Sequence, residues 1–420
     1  MSNTEEMLQS GYSVKLVDCE VITHPAPRRE WQILAVLASV QFIHIMDFTM
    51  MMPLAPQFMR LLDITPQQFG LLISVYTFSA GLSGFFAAFI VDHFDRKVTV
   101  IAVCAGFSMA VLLCALSKDY ATLLAARAVA GAFGGMMSAV VFSIIADIIP
   151  VYRRGAAMGV IFSSFPLVSV VGVPTGLMLM EWSDWRAPYF LLAILGLLII
   201  IAISRLLPPV RHHLIHQSEK NPLRQLHMIF SNSNHLVAFA LIAMLMFAGF
   251  TVIPFISAYV VSNAGMNEAD LPYLYIVGGL ATFFTARLFG RLADRYGKRK
   301  IFGIVALISI GPILLVTHLS ETPLLMILIV TSLFMILVSG RYIPAMALIT
   351  ASVAPHLRGS FMSFNASVQQ IAAGLASLLA GGMIGVSATG KMTNFDMVGI
   401  IAAVSTVFCI FLAIKLKSVE

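Results

Sequence analysis

Hydrophobic residues in this 420-residue chain fall into long unbroken runs, not into the short alternating or striped patterns of a soluble core. A helix needs about 20 apolar residues to cross the hydrocarbon layer of a bilayer. Twelve runs reach that length: 31–59, 68–91, 98–117, 121–148, 154–180, 188–207, 235–263, 272–292, 300–319, 323–353, 360–386 and 396–416. Each predicts a membrane-crossing helix, so the expected fold class is an all-α membrane protein with twelve transmembrane helices. Pro166 and Pro174 interrupt the fifth run and Pro254 the seventh. Neighbouring helices can satisfy the backbone groups freed at such breaks. Residues 208–234 form the longest polar connection, and residues 1–30 are polar and mixed in charge. The opening segment is not expected to be a cleaved signal peptide, so the first run must itself direct insertion.

Composition agrees with this pattern. Apolar residues make up 59% of the chain and charged residues 11%, with a mean hydropathy of +0.92. A soluble domain carries roughly twice that charged fraction. The formal net charge of +6 would suggest a nucleic-acid partner in a soluble protein; here it is better explained by basic loops on one membrane face. Cys19, Cys104, Cys114 and Cys409 have neither metal nor redox spacing, and read as small buried hydrophobes. Nothing in the sequence calls for a cofactor or a metal, and no nucleotide-binding loop or catalytic cluster supports an enzyme.

The few loop charges repeat. The densest cluster, Gly290-Arg291-Leu292-Ala293-Asp294-Arg295-Tyr296-Gly297-Lys298-Arg299-Lys300, has a weaker copy running from Ala88 through Asp92 and Asp95 to Arg96 and Lys97. Asp92 and Asp294 are offset by 202 positions, and Arg154-Gly155 recurs as Arg358-Gly359 at an offset of 204. Two echoes at nearly one offset predict an internal duplication. The expected organisation is a cytoplasmic segment 1–30, a six-helix bundle 31–207, an inter-half linker 208–234 and a second six-helix bundle 235–417.

Orientation follows from Lys and Arg, which collect on the cytoplasmic side. With the N-terminus inside, 19 of the 26 fall in inner segments, four in outer loops, and Arg127, Arg287 and Arg341 within spans. Both termini are expected in the cytoplasm.

Twelve spans in two halves, with this loop cluster after spans two and eight, resemble the major facilitator superfamily. Its loop pattern, Gly-x-Leu-Ala-Asp-Arg-x-Gly-Arg-Lys, is matched at nearly every position by residues 290–299, whereas the first copy has Ala88 and Asp95 at the two glycine positions. The chain further resembles the bacterial drug and metabolite:proton antiporters, including the arabinose-efflux-like branch. Arg127 to Gly131 is similar to the arginine motif of the fourth helix, and Gly172-Val-Pro174-Thr-Gly176 to a degenerate antiporter motif on the fifth. The resemblance implies a gating set of Asp92, Arg96, Asp147, Gly290, Asp294, Arg295, Gly297 and Arg299. In it, Asp294 approaches the fifth helix near Gly155 in the outward-open state, Asp92 approaches the eleventh near Gly359, and Asp147 pairs with Arg96. Loop bases are also topology determinants, whatever else they do.

Charges inside spans cost about 2.5–3.5 kcal/mol on insertion scales and mark functional sites by default. His44 and Asp47 lie three apart on one face of the first span. At about 1.5 Å per residue, Asp47 lies some 24 Å past Trp31 and Arg127 about 12 Å past Asp119, which makes their depths compatible. In the superfamily both helices line the central cavity, so an Asp47–Arg127 pair is expected. It is either a static packing element or a proton carrier, since burial and a neighbouring guanidinium act oppositely on a carboxyl. His44 either shares the proton or serves as a neutral hydrogen-bonding group. Arg341, mid-way along the tenth span, either bonds backbone carbonyls or meets an anionic group of the substrate. Arg287 is expected to snorkel. Tyr76, Phe250, Tyr259, Asn365 and Gln369 complete the candidate substrate-binding set. Gly131-x-x-x-Gly135 and Gly172-x-x-x-Gly176 predict close helix contacts.

The expected function is a proton-coupled secondary transporter, monomeric and in the bacterial inner membrane. Its partners are a small molecule, protons and the lipid bilayer, with no nucleic acid, and it exports an amphipathic drug or metabolite. The alternative is a proton symporter or facilitator that takes up an organic anion through Arg341.

Overall fold

The computed structural model describes residues 27–90, 93–150, 153–210, 222–354 and 357–419. Asp92, residues 1–26 of the expected N-terminal segment and residues 211–221 of the expected linker lie outside the described residues. The long helices are α1 (Pro27–Met50), α2 (Pro66–Ile90), α3 (Arg96–Leu116), α4 (Tyr120–Ile148), α5 (Arg154–Trp182, in segments), α6 (Ala187–Leu206), α7 (Ser233–Ser262, in segments), α8 (Leu271–Tyr296), α9 (Lys298–Thr317), α10 (Leu324–Ala351), α11 (Arg358–Met383) and α12 (Phe395–Lys415). Among the described residues, eleven are long and apolar enough to cross a membrane. The other, α11, has the length with 26 residues but carries Ser363, Asn365, Ser367, Gln369 and Gln370 along its middle.

The breaks follow the prolines. The first predicted run, 31–59, is not one helix: α1 stops at Met50, Met51–Leu54 turns, and a separate helix Ala55–Leu61 follows. Pro53 has no N–H to continue the ladder, and its ring crowds the carbonyl four residues back. In α5 a π turn, Val168–Gly172, precedes Pro174, and in α7 a 3₁₀ turn, Ile253–Phe255, holds Pro254. Between α11 and α12 lies a small hairpin, Gly385–Val386 paired antiparallel with Met392–Thr393.

Helix contacts repeat with an offset of six. The pairs α2–α4, α3–α4, α3–α6 and α1–α6 are matched by α8–α10, α9–α10, α9–α12 and α7–α12. The echoed arginines behave alike: Arg154 Nε donates to Ile149 O at 3.0 Å and Arg358 Nε to Val353 O at 3.2 Å, each five residues back. Two long seams join the sets, α2–α11 and α5–α8, and the short helix Ala55–Leu61 also packs on the last segment of α7, Ile256–Ser262. The first is the closest: a Cβ on Gly70 would stand 2.5 Å from the Ser377 carbonyl oxygen, and one on Gly381 would stand 2.7 Å from that of Pro66.

An even number of crossings brings both termini to one end of the bundle, the terminal end. At the opposite, far end the two sets are stitched together. Ser74 Oγ donates to Gly374 O at 2.7 Å, Phe69 meets Phe255 edge-on, and Gln57 and Arg60 both donate to Glu268 at 3.1 Å. The α5–α8 seam runs along residues 164–182 and leaves the start of α5 apart, where Gly155 and Gly159 have open space beside them. The sets thus meet at the far end and part at the terminal end of this seam.

Candidate functional site

The last turn of α1 carries Asp47 and the second turn of α4 carries Arg127, two helices that run in opposite directions side by side. Arg127 Nη1 donates to both carboxylate oxygens of Asp47, at 2.8 and 2.9 Å, with the two side chains 1% and 0% exposed. The guanidinium also lies 4.2 Å over the Tyr76 ring from α2. Its approach depends on Gly131 and Gly135, which press directly on the α2 backbone at Tyr76 and Ala80. The Tyr76 hydroxyl comes near the Asp47 carboxylate without a well-formed hydrogen bond. Phe48 stacks on Tyr76 at 5.5 Å and lies tilted against Phe250 of α7 at 5.8 Å, so it closes the site against the second helix set.

One turn back along α1, His44 is buried with Phe107 edge-on at 6.2 Å, and neither ring nitrogen has a hydrogen-bond partner among the described residues. One turn further, Gln41 Nε2 donates to Ser138 Oγ on α4 at 3.0 Å. Beyond Asp47 in the other direction the surroundings are apolar: Met50, Met51, Met52 and Leu54 are buried, and the Tyr189 hydroxyl donates to the Met51 sulfur at 3.1 Å. Gly172 and Gly176 of α5 pack on Met46 and Met50.

Of the sequence-derived set, the fold brings Asp47, Arg127, His44, Tyr76 and Phe250 together. Asn365 and Gln369 share the α11 face toward α10, where Gln369 Oε1 accepts from Tyr342 at 3.0 Å and Asn365 is fully buried. Tyr259 is elsewhere, at the far end, donating to Leu319 O at 2.9 Å and tilted against Phe395 at 4.6 Å. Arg341 points into the α9–α10–α12 packing. Its Nη1 donates to Ser309 at 3.2 Å and Thr406 at 2.7 Å, while Nε and Nη2 have no partner among the described residues. It bonds hydroxyls, not the backbone carbonyls that the sequence suggested, and it is not brought to Asn365 or Gln369. Arg287 lies 5.2 Å over the Phe283 ring.

At the terminal end, Arg96 Nε donates to Asp147 at 3.0 Å as expected. Asp95, read from sequence only as a departure from glycine, caps α3: its carboxylate accepts from Lys97 N at 2.9 Å. Gly297 turns the chain between α8 and α9 at φ +96°, a conformation that a side chain would strain. Arg299 donates to Leu416 O, Arg295 lies 5.4 Å over the Tyr296 ring, and Gly290 has open space beside it. Asp294 lines a cavity of about 640 Å³ with Lys298, Arg299 and Lys300; among the described residues nothing bonds it. Sequence reasoning also missed Glu30, buried at the start of α1, which accepts from Arg153 at 2.8 Å. Gln41 was legible as the next polar residue three positions before His44.

This is a multi-pass helical membrane protein with a buried ion pair between two helices. The sequence model of the Major Facilitator Superfamily matches residues 37–377 and 238–420. The chain belongs to that superfamily and is a transporter, not an enzyme. It is 23% identical over 354 residues to the uncharacterised MFS-type transporter YceJ of Bacillus subtilis, covering 84% of this chain and 87% of that one. It is 24% identical over 362 residues to a chloramphenicol resistance protein of Streptomyces lividans, covering 85% and 90%. Its fold is similar to that of a D-xylose–proton symporter, with a TM-score of 0.75 at 14% identity over 90% of this chain and 97% of that one. It is also similar to a bacterial homologue of the human lysosomal transporter Spinster in an inward-facing, unoccupied conformation, with a TM-score of 0.67 at 16% identity over 93% and 96%.

Proposed function

We propose that this protein is a proton-coupled secondary transporter that exports a small amphipathic compound by alternating access, with Asp47 as the proton carrier. The observation that carries the reading is the fully buried Asp47–Arg127 pair in the membrane interior. A carboxylate and a guanidinium out of water hold each other in the charged state, and protonating the acid dissolves the pair. Arg127 then keeps its contact with Tyr76. The pair is therefore a two-state element that a proton can bias, and Phe48 links it mechanically to the second helix set through Phe250.

Two six-helix bundles, 31–207 and 235–417, rock about this site, joined by the linker 208–234. The six-helix offset of the contacts supports that division. The uneven distribution of Lys and Arg supports cytoplasmic termini; we take the protein to act as a monomer in a bacterial inner membrane. On this reading the structure is open toward the cytoplasm. In the opposite state Asp294 would close on the start of α5 near Gly155, where a carboxylate is favoured by free N–H groups at about 0.3–1 kcal/mol. Asp92, Arg96, Asp147 and the 290–299 loop form the same cytoplasmic gate. Asn365 and Gln369 are the polar substrate contacts offered by α11.

Chloramphenicol is the first compound to try, because a relative carries its name. Expression in a drug-sensitive host should raise the tolerated concentration of an exported compound, and inside-out vesicles should accumulate it when their interior is acidified. Loss of growth on an organic-acid nutrient on deletion, with no drug phenotype across a broad panel, would contradict export.

A further inference from the structure

The two loop copies differ in what neutralises the start of the helix that follows. In the first half α3 begins at Arg96 with Asp95 as its cap, and the Asp95 carboxylate accepts from Lys97 N at 2.9 Å and from Val210 N at 3.3 Å. Arg96, 5% exposed, donates to Asp147 at the end of α4. Lys97 Nζ donates to Ser204 O of α6 at 2.7 Å. Two carboxylates and a carbonyl thus meet both cations and the first turn of the helix.

At an offset of 202, Gly297 stands for Asp95, Lys298 for Arg96 and Arg299 for Lys97. The carbonyl contact is kept, because Arg299 donates to Leu416 O at the end of α12. Both carboxylates are gone. Gly297 caps α9 without a side chain, and the offset of 204 that relates Arg154 to Arg358 puts Ala351 at the position of Asp147. Lys300, where the first half has Val98, adds a third cation. In place of the two acids there is a cavity of about 640 Å³, lined by Gly297, Lys298, Arg299, Lys300, Ala351 and Asp294. Asp294 is one carboxylate against three cations, and among the described residues no carboxylate pairs with Lys298 or Lys300. The second half keeps the cations of the first and the room for their partners, but not the anions.

The surroundings say which kind of anion fits. Lys300, Ile304, Leu307 and Ile308 are spaced to share one face of α9, and all four are exposed. The cavity therefore adjoins an apolar face that α9 turns to lipid. Basic pockets between helices at a membrane surface suit acidic lipid headgroups, and ammonium and guanidinium groups make short, charge-assisted bonds to phosphate oxygens.

We propose that this cavity is a phosphate site, in which Lys298, Arg299 and Lys300 hold the headgroup of an acidic phospholipid. The phosphate takes the place that Asp95 and Asp147 fill in the first half, and the acyl chains lie along Ile304, Leu307 and Ile308. Ala351 decides the difference between the halves, since an acid there would neutralise Lys298 from within the chain. Free phosphate would use the same cations without the apolar face.

Binding of phosphatidylglycerol and of phosphatidylcholine to the detergent-solubilised full chain is measured by native mass spectrometry, and melting temperature is followed with inorganic phosphate alone. Wild type should retain phosphatidylglycerol in preference to phosphatidylcholine. Lys298→Gln and Lys300→Gln should each weaken that binding by about fivefold, and Ala351→Asp, which restores the missing acid, should weaken it at least as much. Arg291→Gln together with Lys415→Gln removes two charges outside the cavity and should leave it nearly unchanged. If neither lipid is preferred, but inorganic phosphate raises the melting temperature of wild type and not of the two lysine variants, the site stands and its lipid source is overturned. Lipid binding that falls as far in the Arg291/Lys415 variant as in the lysine variants reflects surface charge alone and overturns the site. So does binding of both probes that is indifferent to Lys298 and Lys300. Should Ala351→Asp fail to fold, the lysine variants decide.

Discussion

Arg127 donates to both oxygens of Asp47 through one nitrogen, and both side chains are sealed from solvent. The pair is asymmetric in what its loss leaves behind. Removing one partner from a buried pair costs about 3–5 kcal/mol, because the survivor is charged and unpaired, whereas replacing both with apolar groups is often neutral. Asp47→Ala and Arg127→Ala should each lower thermal stability in detergent markedly, and Asp47→Leu/Arg127→Met together should recover much of the loss. A double substitution as unstable as the sum of the singles would mean that the two residues do not act as a pair.

Arg341 differs from Arg127 because, among the described residues, no carboxylate meets it. Ser309 and Thr406, its two acceptors, also donate to Ala306 O at 2.7 Å and Ala402 O at 2.8 Å, so both hydroxyls stay bonded without it. Replacing it with an apolar side chain of similar length leaves nothing unsatisfied. Arg341→Met should keep or raise the melting temperature and preserve transport of an uncharged substrate. Loss of transport at unchanged stability would instead make Arg341 a substrate ligand.

At the far end, Glu268 accepts from Gln57 and Arg60 across the two helix sets, with Arg60 62% exposed. Exposed pairs contribute about 0.2–1 kcal/mol. Glu268→Gln should therefore shift the balance toward far-end opening by a small factor, not lock it. Thiol labelling of a cysteine introduced at Phe255, under the Phe69 contact, should speed up by up to about fivefold. No change in labelling would show that the contact does not hold the gate.

Asp119 caps α4, with Thr122 returning the bond. The Thr122 backbone N–H, and then its side chain, hold the Asp119 carboxyl below the usual carboxylate range. A depressed folded-state value means that the stabilisation is complete above the unfolded pKa and lost as pH falls through the folded one. Asp119→Ala should lower the melting temperature at neutral pH, and the gap from wild type should shrink as the pH is taken below the ordinary Asp range. A gap that stays constant with pH would exclude an electrostatic cap.

The fold was legible because hydrocarbon solvent imposes a simple rule: each span must be a helix of fixed minimum length. The duplication was legible in two loop echoes, and Arg154 and Arg358 make equivalent bonds. The Asp47–Arg127 pair followed from depth alone, because two charges at one level in a membrane must find each other. Side-chain direction was less accessible. Which way Arg341 turns around α10, or whether Tyr259 faces inward, depends on helix rotation, and a span that is apolar all round does not encode it. The break at Met51–Leu54 was missed because Pro53 sits in an unbroken apolar run.

The most direct test of proton carriage by Asp47 uses proteoliposomes enclosing a pH-sensitive dye, with chloramphenicol and a panel of amphipathic compounds, comparing wild type with Asp47→Asn. The expected result is that at least one compound drives proton movement in wild type, opposite in direction to its own flux, and that Asp47→Asn abolishes it. Proton movement of equal size in the variant would contradict the account, as would transport in wild type with no proton movement at all.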